Sequence, residues 1–250
     1  MRYFIQFSYD GTEYFGYQRQ PNQNTVQGVL EEALSCLLRT EIFTTGAGRT
    51  DTGVHARQMF AHFDFDENLP ENIVKRLNSY LPLDISIQKI FPVKETAHAR
   101  FDAVKRTYQY FISTQKNPFK QRFYAQFVHY DFDIERMNEA AQKMFLYKDF
   151  TSFSKLHSDA KTNDCHIFEA LWEQREGELV FTVSANRFLR NMVRALVGTL
   201  MDVGRGKISV AQFQEIIEKK DRKFASMSAP AQGLVLIKVE YPEEIYLSIK

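Results

Sequence analysis

Residues 46–56 read GAGRTDTGVHA, a polar, glycine-rich stretch between one apolar amphipathic run and one apolar alternating run. Three glycines among its first eight positions indicate backbone angles or close approaches that a Cβ would prevent. The stretch also contains an acid, a base and two hydroxyl groups. A polar loop between two core elements commonly presents a protein's functional groups. Asp51, with Arg49 two residues before it, is therefore the first candidate for chemistry.

The composition is that of a folded protein with balanced charge. Hydrophobic residues make up 44% of the 250 residues and aromatic residues 14%, which excludes a disordered chain and allows a sizeable core. The 32 Lys and Arg residues against 31 Asp and Glu leave a net charge of +1, so only local clustering can indicate nucleic-acid binding. Cys36 and Cys165 are too few for a disulfide framework or a usual zinc site.

The sequence carries no pattern typical of secretion or membrane insertion. The chain starts directly with a strand pattern rather than a secretory leader. It contains no apolar run of the length that a bilayer requires. We therefore expect a cytoplasmic protein without membrane attachment.

Hydrophobic periodicity predicts alternating strands and helices. In the first hundred residues it indicates a strand at 3–9, a polar loop at 11–24, a helix capped by Thr25, a strand at 59–65, a helix from about Pro70 and a strand at 85–91. Beyond them it indicates a strand at 108–112, a helix at 134–144, a hairpin around 172–183, helices at 187–203 and 213–217, and a strand at 234–239. We expect an α+β fold of two related halves, 1–103 and 104–250, that share an antiparallel sheet with helices packed against it.

Asp51 is open to several interpretations from its residue type alone. A carboxylate in a glycine-flanked loop can be a nucleophile, a general base, a metal ligand or a structural acceptor that caps the turn. A metal site is disfavoured because no second and third ligand lie at useful spacing. Paired-carboxylate glycosidase chemistry is disfavoured because it needs a second acid that the sequence does not indicate.

A local cluster of positive charge follows in the second half. Between 187 and 207 five basic residues stand against the single Asp202: Arg187, Arg190, Arg194, Arg205 and Lys207. The spacing of the first three predicts one stripe along the helix at 187–203. Arginine at all three positions favours a phosphate or carboxylate partner. The alternative is an ordinary solvated helix face.

A third group combines basic and aromatic residues. The strand at 105–110, KRTYQY, begins with Lys105 and Arg106 and places Tyr108 and Tyr110 on one face. Such a surface can stack a nucleobase, as sheet surfaces of RNA-binding domains do. The alternative is that both tyrosines are core residues. Nearby, residues 98–101 read HARF and add another base and aromatic.

The 46–56 stretch closely resembles the signature of the TruA family of tRNA pseudouridine synthases. Other motifs that resemble the family follow in the same order over nearly the whole chain, at 9–11, 18–20, 25–27, 98–101, 106–108, 149–150, 192–194 and 229–236. The chain departs from the family pattern at Tyr17, at Tyr147-Lys148 and at Cys165-His166.

The resemblance implies isomerisation of uridine to pseudouridine at positions 38, 39 and 40 in the anticodon stem-loop of tRNA. It implies a partner tRNA, a homodimer, and no cofactor, metal or nucleotide. It also implies the fold of two α+β halves that share a sheet. Two alternatives remain from the residues themselves. One is a non-catalytic RNA-binding protein, and the other is a nucleoside hydrolase that would release free uracil.

The resemblance also implies roles for individual residues. Asp51 would be the catalytic nucleophile or base, which attacks the sugar or removes a sugar proton. Tyr108 would stack on the flipped base and help remove the C5 proton, and Arg194 would pair with the aspartate. Arg49 would help turn the base out, and Leu234 would supply an apolar wall. RNA-backbone contacts are expected from Arg106, Arg187, Arg190, Arg205 and Lys207.

Overall fold

The computed structural model describes residues 1–155 and 162–247. It divides into two compact units. The first comprises Met1–Val104 and the chain from Leu236 onward, and the second comprises Lys105–Val235. The division after Val104 lies one residue beyond the predicted one. The chain from Leu236 onward belongs to the first unit, whereas the sequence pattern predicts a second half of 104–250 that includes it.

The described residues form an α+β protein with mostly antiparallel strands, as expected. The first part of the chain forms β1 (Arg2–Tyr9), α1 (Val26–Leu38), β2 (Thr45–Gly46), β3 (His55–Asp64), α2 (Ile73–Tyr80) and β4 (Ile85–Val93). The remainder forms β5 (Lys105–Ser113), β6 (Ala125–Gln126), α3 (Ile134–Lys143), β7 (Ile167–Arg175), β8 (Glu178–Ala185), α4 (Met192–Gly204), α5 (Val210–Glu218) and β9 (Leu234–Glu240). Among the described residues, no helix combines the length and apolar character that crossing a membrane requires.

The first unit is built around β1, which pairs antiparallel with β3 on one side and β4 on the other. On the far side of β3 lies β9. Thr25 caps α1, as predicted, because its hydroxyl accepts a hydrogen bond from the Gly28 N–H at 3.3 Å. The apolar face of α1 that the spacing predicted is buried at Val26 and Leu30. Helix α2 begins at Ile73, three residues after the expected start.

The second unit contains the antiparallel series β5, β8 and β7, with β6 parallel to β5. Helix α3 packs against α4 and β7. Most residues of α4 are buried, so this apolar helix forms the centre of the unit's core. Helix α5 begins with a capping box, in which the Gln212 N–H donates to the Ser209 hydroxyl at 3.1 Å and the Ser209 N–H donates to the Gln212 amide oxygen at 2.8 Å.

The helix predicted over 187–203 begins five residues later than expected. Asn191 has a φ of 65°, a left-handed conformation that Asn tolerates but that interrupts a right-handed helix. The carbonyl of Arg190 accepts a hydrogen bond from the Lys155 N–H at 3.0 Å. A residue 35 positions earlier in the chain therefore fixes this segment outside the helix.

Candidate active-site residues

The loop that carries Asp51 connects two paired strands of the first unit. Thr45 and Gly46 of β2 lie opposite His62 and Ala61 of β3, so both ends of the loop are held by the sheet. The Val54 N–H donates to the Asp51 carbonyl at 3.1 Å and closes a turn just before β3. Asp51 is half-buried. The hydrogen-bonded backbone therefore fixes the position from which the Asp51 side chain extends.

A second segment, residues 11–17, packs directly against this loop. The Tyr17 N–H donates to the Thr50 carbonyl at 3.2 Å. A Cβ at Gly11 would lie 2.0 Å from the Val54 carbonyl oxygen. A Cβ at Gly16, which has a φ of 87°, would lie 2.5 Å from the Thr50 carbonyl oxygen. These two glycines allow the two backbones to approach each other on both sides of Asp51. We call this arrangement of residues 11–17 against 50–54 the glycine clasp.

His55 is buried next to the clasp, since only 2% of it is exposed. Its Nδ1 lies 3.0 Å from the Gly11 N–H nitrogen and 3.0 Å from a carboxylate oxygen of Asp10. The neutral imidazole accepts from Gly11, whereas a protonated imidazole would donate to Asp10. The hydroxyls of Tyr9 and Thr50 are hydrogen-bonded to each other at 2.9 Å. His55 is thus part of the support under the loop.

Arg49 is exposed and lies two residues before Asp51 in the same loop. In residues 1–155 and 162–247, no group of three or more His, Cys, Asp or Glu side chains is placed to hold a metal ion. The chemistry that this loop offers is that of a carboxylate on a firmly held backbone, with a guanidinium close to it in sequence.

Tyr108 and Tyr110 lie on one face of β5 in the second unit but differ in their surroundings. Tyr110 is fully buried, and its hydroxyl donates to the Pro230 carbonyl at 2.8 Å. Burial raises the pKa of Tyr110 well above its usual range. Tyr108 is 9% exposed, and its ring meets Phe188 edge to face at 5.2 Å. Both tyrosines are thus largely buried, as the alternative interpretation predicted, and Tyr108 keeps only a small exposed fraction.

The three arginines that were predicted to form one stripe along the helix do not do so. Arg187 and Arg190 precede α4, and only Arg194 lies within it. That part of the prediction is wrong. Arg205 follows the helix, about 16 Å along the axis from Arg194 at 1.5 Å per residue. The predicted basic cluster is therefore separated into groups at the two ends of α4.

The acid between the basic residues pairs with those at the C-terminal end. The Asp202 carboxylate lies 3.7 Å from a guanidinium nitrogen of Arg205 and 3.2 Å from the Lys207 ammonium. The Arg205 guanidinium also lies over the Tyr130 ring, 4.2 Å from its centroid. These contacts reduce the positive field that the sequence predicted for Arg205 and Lys207.

Before α4, the residues 186–190 are held by polar contacts. Arg106 donates to the Asn186 carbonyl at 2.8 Å, and the Asn186 side-chain oxygen accepts from the Arg187 N–H at 2.9 Å. Burial raises the pKa of the nearby Cys165 thiol to about 12, and the charge of Arg187 opposes that rise. The thiol is thus protonated at neutral pH, which is consistent with a structural residue. Arg190 is exposed.

Two hydrogen bonds tie Arg194 to Ala229. Its side-chain Nε donates to the Ala229 carbonyl at 2.8 Å, and the Ala229 N–H donates to the Arg194 carbonyl at 2.9 Å. One turn later, a Cβ at Gly198 would lie 2.0 Å from the Met227 carbonyl oxygen. The segment around 227–229 therefore lies directly against α4, and it orients the Arg194 guanidinium.

Ser228 holds the same segment through its side chain. Its hydroxyl accepts from the Asn191 amide at 2.6 Å and from a guanidinium nitrogen of Arg222 at 3.1 Å. Arg222 also donates to the Ala225 carbonyl at 3.0 Å. No sequence pattern pointed to Asn191, Arg222 or Ser228. Asn191 and Ser228 lie 37 residues apart, and Arg222 and Ser228, 6 residues apart, follow no recognised motif. The segment leads to Leu234, which begins β9 and is buried.

Comparison with known proteins agrees with this architecture. A family description, tRNA pseudouridine synthase, matches residues 5–102 and 140–242. The tRNA pseudouridine synthase A of Bacteroides thetaiotaomicron is 54% identical over 98% of this chain and 92% of its own length. The enzymes of that name from Bacteroides fragilis and Thermosipho africanus are 54% and 42% identical, over 98% and 95% of this chain and 98% of their own lengths. The chain belongs to the tRNA pseudouridine synthase family, and the resemblance seen in the sequence is confirmed.

The glycine clasp predicts that Gly11→Ala is destabilising. The new methyl group would meet the Val54 carbonyl at 2.0 Å, so one backbone must move, at a cost of about 1–3 kcal/mol. The matched control is Gly48→Ala in the same loop, where an added Cβ has nothing within 4 Å. Thermal unfolding should show a Tm lowered by several degrees for Gly11→Ala alone. Equal Tm values for both variants would contradict the clasp.

Ser228→Ala should destabilise the second unit. It removes the acceptor of two donors, one of them charged, and the expected loss is about 1–3 kcal/mol in the free energy of unfolding. Urea unfolding measures this loss. Ser226→Ala serves as the control, because Ser226 donates through its backbone N–H to Thr199 and the substitution keeps that bond. If Ser228→Ala unfolds at the same urea midpoint as the control, the Ser228 hydroxyl does not stabilise the second unit.

Proposed function

We propose that this chain isomerises uridine to pseudouridine in the anticodon stem-loop of tRNA, at positions 38, 39 and 40, with Asp51 as the catalytic nucleophile or base. The observation that carries the proposal is the Asp51 carboxylate, which lies on a backbone that the glycine clasp holds in place, in a chain 54% identical to an enzyme named for this reaction. Precise placement of one carboxylate suits a mechanism with one covalent or proton-transfer partner.

The proposed reaction balances without any added reagent. The bond between the sugar and N1 of the uracil breaks, the base rotates, and a carbon–carbon bond forms between the sugar and C5. The C5 proton is lost, and N1 gains a proton. Substrate and product are isomers, so no oxidant, reductant or nucleotide is consumed. The Asp51 carboxylate serves either by attacking the sugar or by removing a sugar proton while the first bond breaks.

The remaining residues keep, in this proposal, the roles that the resemblance implies. Tyr108 and Leu234 contact the displaced base, and Arg194 is the basic group that accompanies the catalytic carboxylate. Arg49 helps to turn the base out of the helix, a step that costs a few kcal/mol and that stacking and polar contacts must offset. The orientation of Arg194 by Ala229 and of Tyr108 by Phe188 supports these roles, since both side chains are held before any substrate arrives.

Among the basic residues, Arg190 is the best candidate for a phosphate contact. Its side chain is exposed, and its backbone is fixed by the hydrogen bond from Lys155. Arg106 and Arg187 are proposed as further contacts, with smaller contributions from Arg205 and Lys207, which share Asp202. We further propose that the chain acts in the cytoplasm as a homodimer, for which sedimentation velocity of the purified protein is the test.

Asp51→Asn should abolish turnover and leave tRNA affinity within several-fold of the wild type. The amide keeps the size of the side chain but lacks the carboxylate that the mechanism needs. The assay is tritium release from tRNA labelled at C5 of uridine, without added metal or nucleotide, with exposed Asp66→Asn as the matched control.

The same assay separates the alternatives. Normal release by Asp51→Asn would remove Asp51 from the mechanism. Tight tRNA binding without release by the wild type would indicate a non-catalytic RNA-binding protein. Free uracil in the products would indicate a nucleoside hydrolase.

Arg190→Ala should weaken tRNA binding and lower the salt dependence of that binding. One lost phosphate contact is expected to reduce the slope of log K against log salt concentration by about 1. Arg136→Ala is the control, because Arg136 is an exposed arginine that pairs with Asp133 at 3.1 Å on α3. A salt-dependence slope equal to the wild-type value would indicate that Arg190 is an ordinary solvent-exposed residue that makes no phosphate contact.

A further inference from the structure

Residues 97–102 of the first unit form a tight turn that presents an aromatic ring to solvent. The His98 Nδ1 accepts from the backbone N–H groups of Arg100 and Phe101, at 3.1 and 3.3 Å. In return, the Asp102 carboxylate accepts from the His98 N–H at 2.7 Å. The two side chains close the turn reciprocally, so the backbone of Phe101 is fixed on both sides.

The turn is anchored to the rest of the first unit by buried polar contacts. The Ala99 N–H donates to His62 Nδ1 at 3.1 Å, and the Ala99 carbonyl accepts from the Tyr241 hydroxyl at 2.6 Å. Arg2 donates to the Ala97 carbonyl at 2.9 Å. Burial lowers the pKa of His62 to about 4, and burial lowers that of His98 as well. Both imidazoles are therefore neutral at pH 7 and can accept these hydrogen bonds.

Phe101 itself is 73% exposed, yet its ring is supported from below. The His98 and Phe101 ring centroids lie 4.2 Å apart at an angle of 31°, and the His98 ring in turn meets His62 at 4.7 Å. The Arg100 guanidinium lies 5.7 Å from the Phe101 centroid. Single exposed hydrophobic residues are common. A phenyl ring that a built turn holds in the solvent, beside a guanidinium, needs a further explanation.

The size and charge of this surface favour one nucleobase over a protein partner. A stable protein interface buries about 800 Å² on each side, whereas a single aromatic side chain offers at most about 250 Å². A flat ring beside a cation matches a base and its flanking phosphate, which single-stranded RNA presents together. We propose that Phe101, supported by His98, is a stacking platform for an unpaired base of the tRNA. The inference rests on the proposed function, because that function supplies the RNA.

Replacement of Phe101 should weaken tRNA binding by the free energy of one base–aromatic stacking contact. Phe101→Ala is expected to raise the Kd for unmodified tRNA about 5- to 150-fold, without changing the salt slope, because no phosphate contact is lost. Phe101→Leu, which keeps apolar bulk but lacks a π face, should lose nearly as much. Phe101→Tyr and Phe101→Trp should restore binding to within a few-fold of the wild type.

A fluorescence experiment reports the stack directly. In Phe101→Trp, the new indole should be quenched when tRNA binds, over a constant signal from Trp172, which is only 2% exposed. The matched control is Phe119→Trp in the second unit, since Phe119 is 94% exposed and has no ring partner among the described residues. The control should show no quenching beyond that of the wild type.

Several results would overturn the platform. They are a wild-type Kd for Phe101→Ala, binding that Tyr and Trp fail to restore, or quenching that depends on protein concentration without RNA, which would indicate a contact between copies of the chain. The outcome is separate from that of the isomerase assay. If the wild type releases tritium and the Kd of Phe101→Ala is unchanged, the stacking proposal is wrong and the proposed enzymatic function stands. If the Kd depends on Phe101 but no tritium is released, the proposed enzymatic function is wrong and the stacking proposal stands.

Discussion

The contact between the α-carbon of Gly11 and the carbonyl of Val54 is the constraint on which the first unit's functional loop depends. No side chain can occupy that space, because even a methyl group would lie 2.0 Å from the oxygen. The contact brings segment 11–17 close enough for the Tyr17 N–H to reach the Thr50 carbonyl. Because β2 and β3 hold the two ends of the loop, the backbone is hydrogen-bonded on both sides of Asp51 along the chain, and also to the neighbouring segment 11–17. A loop fixed in this way keeps its geometry without a metal or disulfide.

Local patterns in the sequence were sufficient for most of the fold. Alternation located β1 and β9, and a hydroxyl cap located the start of α1, because these signals act over a few residues. The start of α4 was not accessible in this way. The apolar spacing continues upstream of Asn191, but the positive φ at that residue and the bond from Lys155 end the helix there. Long-range hydrogen bonds of this kind leave no periodic trace.

The residues of the candidate site also differ in whether local sequence patterns could identify them. Asp51 and Tyr108 could be found from residue type, spacing and resemblance, since their chemistry is carried by their own side chains. Their orienting contacts could not, because Ala229, although it lies in one of the recognised motifs, acts on Arg194 only through backbone atoms. Charge was the least reliable guide. Asp202 appears in the sequence as one acid among five bases, yet in three dimensions it lies beside Arg205 and Lys207 and leaves the N-terminal side of α4 with the exposed Arg190.

Reliance on backbone partners also explains why the chain's departures from the family pattern are compatible with its fold. Tyr17 contributes its N–H to the loop, and its ring packs under Gly46, where a Cβ would lie 2.3 Å from it. Tyr147 donates to Glu218 at 2.7 Å on the surface of the second unit. The Cys165 N–H donates to the Lys148 carbonyl at 2.8 Å, a contact between backbone atoms. Side chains that are not themselves the partners can change, whereas the glycines that allow two backbones to meet cannot. In this protein the positions without a side chain therefore constrain the functional loop more tightly than most positions that have one.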